Sequence, residues 1–245
     1  MTAVPADRDR FRLRGTQVTR LETFVDAAFA FSLTLLAIVV DDLPHSIAEL
    51  RAALRQVPAF VFCFVLLATF WSAHNRWSRR FGLDDARSNV LSLALVLVVM
   101  LYVYPLRMVV SGAMGFFSGG WAPFGYTIDA ARAVLDLQTM FIVYSIGFGL
   151  LAWLVWQLNA HALRLADGLG LDARERAATV TEIGIHVILC ASAACSILAS
   201  VAALLLVPHG ARPGWIATLP AWLYALLGPA IGAYVAWRGR RGPSA

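Results

Sequence analysis

Six apolar runs, near 16–40, 57–77, 88–110, 132–157, 178–207 and 215–237, constrain this chain more than any single motif in it. A bilayer core about 30 Å thick takes about 20 helical residues to cross, and inside it the backbone must satisfy its own hydrogen bonds. The expected fold is an all-α membrane protein with six transmembrane helices per subunit and a single repeat. A flexible Arg-rich arm over 1–15 and a tail over 239–245 flank a six-helix unit over 16–238. With 60% apolar and 14% charged residues, the composition excludes an ordinary soluble domain.

Arginine placement sets the expected orientation. All 20 basic residues are Arg, and they flank the apolar runs instead of forming a patch suited to nucleic acid. Fifteen lie in the N-terminal segment, the second and fourth loops and the C-terminal tail, against five in the other loops. That bias puts both termini in the cytoplasm. The N-terminal arm leads into a long span without a small-residue cleavage site, so it reads as an uncleaved start. Cys63, Cys190 and Cys195 fall inside apolar runs without metal-ligand spacing and read as packing residues.

The first run, Arg20 to Asp42, is the most informative. Ala27 to Val40 carries no charge and only two hydroxyls, Ser32 and Thr34, which is too short to cross alone. The helix is therefore expected to start near Thr16 and to carry Glu22 and Asp26 into the membrane or its interface. A carboxylate there costs a few kcal/mol and calls for a partner or a wet surface. Phe31, Thr34, Leu35, Ile38 and Asp41 follow three- and four-residue steps and share one face. One reading is an ordinary packing face. The other is a stripe repeated around a symmetry axis, where apolar rings gate by dewetting and the acidic pair Asp41 and Asp42 gathers cations at the mouth.

Arg20-Leu-Glu-Thr-Phe24-Val25-Asp26 resembles the Arg-x-x-x-Phe-Ser-Asp signature of the endolysosomal potassium channel family, the transmembrane protein 175 type with its prokaryotic members. Trp71-Ser-Ala-His74 at the end of the second run, Asn89 opening the third and Pro105 near its far end extend the likeness over about 110 residues. The resemblance implies a potassium-selective channel without a filter loop. Its pore would be lined by the first helix of each subunit in a homotetramer of a prokaryotic cell membrane. It places the bottleneck at Phe31, where the family usually has Ile or Leu, with Leu35 and Ile38 as further apolar constriction and Thr34 as the selectivity hydroxyl. Asp41 and Asp42 form the cation-attracting mouth. Arg20, Phe24, Asp26, Trp71, His74 and Asn89 form a structural network that holds the helix in register. Val25 departs from the family's Ser. The implied partners are other copies of the chain, the lipid bilayer and permeant potassium ions, with no cofactor and no enzymatic activity.

Several later features bear on competing readings. Ser111 to Thr127, rich in Gly and aromatics, is expected to be an interfacial loop or re-entrant hairpin. Ser145-Ile-Gly147-Phe-Gly149 mimics a potassium-filter strand, but it lies within an unbroken apolar run, where glycines serve close helix packing. Glu182 and His186 share a face, and Gly228-Pro229 marks a kink. A proton- or ion-coupled secondary transporter working through Asp26 or Glu182 is the alternative function; transporters tend to show internal repeats and broken helices. No pairing of nucleophile and base supports an intramembrane enzyme.

Overall fold

The computed structural model describes residues 11–37, 45–127, 132–206 and 214–241. Eight helices occupy them: α1 (Arg20–Ala37), α2 (Ile47–Leu54), α3 (Val57–Phe81), α4 (Ala86–Phe117), α5 (Ala133–Arg164), α6 (Ala173–Leu206), α7 (Gly214–Ala225) and α8 (Leu227–Arg241). Because α2 runs into α3 and α7 into α8 across short turns, the helices form about six rods. Five helical stretches are long and apolar enough to cross a membrane by length and composition. The described part of α1 is shorter and carries Arg20, Glu22 and Asp26. The chain is a multi-pass membrane protein.

Local chemistry fixes the helix ends. The first helix starts at Arg20 and not near Thr16, because Thr19 and Glu22 close a reciprocal capping box: the Glu22 amide donates to Thr19 Oγ1 at 3.1 Å, and the Thr19 amide to Glu22 Oε2 at 2.8 Å. At the start of α3, Pro58 occupies the first turn, where a missing N–H costs nothing. The same helix stops at Gly82, whose left-handed φ of 59° lets its amide return to the Ser78 carbonyl. Asp85 caps α4 by accepting from the amides of Arg87 and Ser88.

Two boundaries differ from expectation. The third span does not end near 110, since α4 continues through Pro105 to Phe117. Proline is tolerated in membrane helices when neighbouring groups satisfy the freed carbonyl. Only 118–127 forms the loop, which folds back so that the Phe124 carbonyl accepts from Ser111 Oγ at 2.8 Å. The last rod breaks at Leu226, two residues before Gly228, and Pro229 then sits in the first turn of α8.

Within the bundle α1 lies against α3 and α4, α5 bridges α4 and α6, and α6 carries α7 and α8. The core is aromatic at its centre. Tyr144 stacks on Phe148 at 6.0 Å, and Tyr224 of α7 meets both edge-on at 5.1 and 5.3 Å. Tyr102 of α4 and Phe70 of α3 complete the cluster. Such contacts add about 0.5–1.5 kcal/mol per pair beyond burial. Gly147 makes this packing possible: a Cβ there would lie 2.5 Å from Tyr102 Cδ2. The filter-like pentapeptide is thus continuous helix, and its Ser145 hydroxyl accepts from Tyr224 and donates to Ser196.

The N-terminal stretch read as a flexible arm is packed from residue 11 onward. Phe11 is buried, edge-on to Phe81 at 5.5 Å, with the Arg80 guanidinium 4.9 Å over its ring. The Arg14 and Gly15 amides both donate to the Arg79 carbonyl at 3.1 Å. Gly15 is required by this approach, since a Cβ would meet the Ser78 carbonyl oxygen at 2.5 Å.

The first helix and its anchors

One face of α1 is packed and the other is bare. Val25, Phe29, Ser32 and Leu36, spaced at three and four residues, are buried against α3 and α4. Thr23, Phe24, Ala27, Ala30, Phe31, Thr34 and Ala37 are exposed, with Phe24 at 54% and Phe31 at 50%. Phe31 and Thr34 therefore stand on a stripe that this chain's own described helices leave uncovered. Leu35 sits at its border, half-buried against the core. Thr34 Oγ1 donates to the Ala30 carbonyl at 3.0 Å, which engages the proton and leaves the oxygen lone pairs facing outward. Ile38, Asp41 and Asp42 lie outside the described residues.

The polar residues expected to hold this helix are only partly brought together. Trp71 Nε1 donates to Asp26 Oδ1 at 2.7 Å, tying α3 to α1. His74, buried, pairs through Nε2 with Ser92 Oγ of α4 at 2.9 Å instead of with Arg20 or Asp26. Arg20 is exposed and has no hydrogen-bond or ion partner among the described residues, so it does not clamp α3. Phe24 lies on the bare face. Asn89 is half-buried, its Oδ1 has no partner among the described residues, and it joins neither pair.

Other residues supply the rest of the anchorage. Ser78 Oγ donates a short hydrogen bond to Glu22 Oε1, so one carboxylate both caps α1 and grips α3. Glu22, Asp26, His74, Asn75 and Arg79 line an open polar cleft of about 260 Å³ between the two helices. The two carboxylates on α1 thus have the partners and the wet surface that their placement demands.

Below this cleft the strap from Phe11 to Gly15 fastens α1 to the far side of the bundle. Glu175, in the first turn of α6, is almost wholly buried and accepts four donors. These are the Arg12 amide at 2.9 Å, Arg14 Nη2 at 2.8 Å, Arg14 Nη1 at 3.2 Å and the Asp172 amide at 3.2 Å. Arg14 Nε also donates to the Leu169 carbonyl at 3.0 Å. Nothing in the sequence pairs Arg14 with a carboxylate 161 residues away; only the Asp172-x-x-Glu175 capping spacing was visible.

Two further contacts hold the same end of the bundle. Glu182 lies 3.8 Å from Arg76 and 3.7 Å from Arg80, while the buried His186 bonds the Glu182 carbonyl through Nδ1 at 2.8 Å. His161 Nε2, in the last turn of α5, meets Asp85 Oδ2 of the α3–α4 turn at 2.9 Å. Burial pushes the Asp85 carboxyl up, but hydrogen bonds from His161 and Ser88 outweigh it and hold the group down to about 2. The described residues contain no group of three His, Cys, Asp or Glu side chains suited to a metal.

Comparison with known proteins agrees with this arrangement. The family model described as "Endosomal/lysosomal potassium channel TMEM175" matches residues 20–105, the stretch from the capped start of α1 to Pro105. A Marivirga tractuosa protein named "Potassium channel" is 29% identical over 164 residues, covering 61% of this chain and 64% of the relative. The chain therefore matches somewhat under two thirds of that relative's length. The backbone superposes on a crystal structure of a variant of the potassium channel MtTMEM175, in complex with a Nanobody-MBP fusion protein, with a TM-score of 0.77 at 25% identity, covering 96% of this chain and 100% of that one. From its Arg-x-x-x-Phe-x-Asp helix to its six-rod bundle, the chain is similar to the TMEM175 family of potassium channels.

Proposed function

We propose that the chain is one subunit of a homotetrameric, potassium-selective cation channel of a prokaryotic cell membrane, conducting passively between the bare faces of four α1 helices. The observation that carries this reading is the uncovered Phe31–Thr34 stripe on a helix whose opposite face is fully packed. A lipid-facing helix surface has no use for a hydroxyl between two rings of apolar side chains, whereas an axis-facing one does. In this reading Phe31, Leu35 and Ile38 form the apolar constriction, with Phe31 as its tightest ring. The outward oxygen of Thr34 offers a ligand to a partly dehydrated ion. Asp41 and Asp42 concentrate cations at the mouth. Trp71, Asp26, Glu22 and Ser78 fix the azimuth of α1, so that the stripe points to the axis.

The test is a planar-bilayer recording of the reconstituted protein under opposed potassium and sodium gradients. Unitary currents that reverse near the potassium potential, with a larger conductance in Phe31→Ala, are the expected result. Silent bilayers, or a Phe31→Ala conductance equal to that of the parent protein, refute the pore assignment. Cross-linking in the same vesicles should stop at four subunits; a ladder stopping at any other number refutes the tetramer.

A further inference from the structure

We propose that Thr23 forms a second ring of cation ligands in the pore, about three turns of α1 nearer the N-terminal strap than the Thr34 ring. The inference rests on the pore reading above and adds to it a binding position for a partly dehydrated monovalent cation. Thr23 and Thr34 are both exposed, and their side chains make the same bond. Thr23 Oγ1 donates to the Thr19 carbonyl at 3.2 Å, as Thr34 Oγ1 does to the Ala30 carbonyl at 3.0 Å. With its proton committed to the helix, each hydroxyl oxygen keeps its lone pairs for a ligand outside it.

Helix geometry puts both oxygens on one line. Thr23 lies about 17 Å along the axis from Thr34 and only about 20° around it. The packed face is fixed by Val25, Phe29, Ser32 and Leu36. The direction opposite that face runs past Thr23, Ala27 and Thr34, each within about 30° of it, with the Phe24 and Phe31 rings to one side. Between the two hydroxyls the bare line carries the methyl groups of Ala27 and Ala30, which leave room for a cation to pass hydrated from one ring to the next. Ser32 makes the same back-bond, to the Ala28 carbonyl, but it is buried on the packed side and offers nothing to an axis.

The surroundings of Thr23 suit a cation that sheds part of its water. The open polar cleft of about 260 Å³ between α1 and α3, lined by Glu22, Asp26 and Asn75 among others, lies at the same level and brings water to this end of the helix. Asp26 is exposed one turn further on, with Oδ1 engaged by Trp71. The exposed Arg20, one turn before Thr23, and Arg79 of the cleft offset the charges of Glu22 and Asp26. Preference at this ring is therefore set by its oxygen ligands, which stand in for hydration water, and not by a net field. Occupancy of the ring then depends little on ionic strength, unlike an effect of surface charge.

The experiment is anomalous scattering from rubidium in crystals of the full chain, together with unitary conductance of the reconstituted protein in symmetrical potassium. Two axial rubidium peaks are expected, one at the level of each threonine. Thr23→Val keeps the shape and removes the oxygen, so it should lose only the peak at Thr23. It should also raise the half-saturating potassium concentration about threefold, the effect of losing a neutral polar contact, and Thr23→Ser should restore both. A conducting parent protein with a peak at Thr34 and none at Thr23 overturns this proposal and leaves the pore reading standing. An unchanged half-saturation in Thr23→Val does the same. Silent bilayers with no axial peak overturn the pore reading, and the second ring with it. If Thr23→Val fails to fold, the presence or absence of the parent peak at Thr23 decides.

Discussion

Replacing Glu175 by Gln tests whether the N-terminal strap is clamped as its geometry implies. The substitution keeps the shape and removes the charge. It sets an amide NH2 against at least one of the four donors that now converge on the carboxylate. Removing one partner of a buried ion pair costs about 3–5 kcal/mol. Arg14 is 18% exposed, so water recovers part of that cost, and about 2–3 kcal/mol remains. For a chain of this length each kcal/mol moves the unfolding midpoint by roughly 2–4 °C, giving a fall of roughly 5–10 °C. The assay is the loss of monodisperse protein on heating in detergent at a fixed rate, because unfolding of such proteins is irreversible. Arg12→Ala is the internal comparison. Its side chain is 51% exposed and 3.5 Å from Glu175, and the Arg12 backbone amide, which makes the closer bond, survives the change. That variant should lose less than about 1 kcal/mol. A Glu175→Gln shift no larger than the Arg12→Ala shift refutes the clamp.

Four other variants probe separate parts of the molecule. Thr34→Val should lower the preference for potassium over sodium in bi-ionic reversal potentials, and an unchanged ratio removes the hydroxyl from selectivity. Neutralising Asp41 and Asp42 together to Asn should reduce inward current mainly at low salt, where surface charge is least screened; a loss that persists at high salt indicates a direct ion site instead. Gly147→Ala forces a methyl group against the buried Tyr102 ring and should destabilise by about 1–3 kcal/mol. Gly228→Ala, with nothing within 4 Å of the added carbon, should change thermal stability by less than about 0.5 kcal/mol.

What could be read from the sequence tracks the range of the interactions involved. Hydrophobic length located each rod, and three- and four-residue spacing put Phe31, Thr34 and Leu35 on one stripe; only packing against α3 and α4 shows that Phe31 and Thr34 are bare while Leu35 is half-buried. The Thr19–Glu22 capping box was also local, yet it was obscured by treating the first helix as long enough to cross by itself. The need of Asp26 for a partner was legible, but not which side chain would meet it, and that is Trp71. His74 instead took Ser92, a small hydroxyl with no distinguishing pattern around it. Pro105 and the glycine-rich segment after it suggested an end to the third rod, but in lipid the neighbouring helices carry α4 two turns further. The strap was invisible because an Arg-rich, Pro-containing leader looks disordered until Glu175 and Arg79 come within reach of it.

The fastening of α1 is lopsided, and that governs how it is able to move. Around its first turn the helix is stitched to α3 through Glu22 and to α6 through the strap, whereas its last described turn is held only by apolar packing at Leu35 and Leu36. Any swing of this helix therefore takes its fulcrum near Thr19. The same angular change displaces Ala37, about 27 Å along the axis, far more than it displaces Phe24. Widening in this protein would be greatest at the end farthest from the strap.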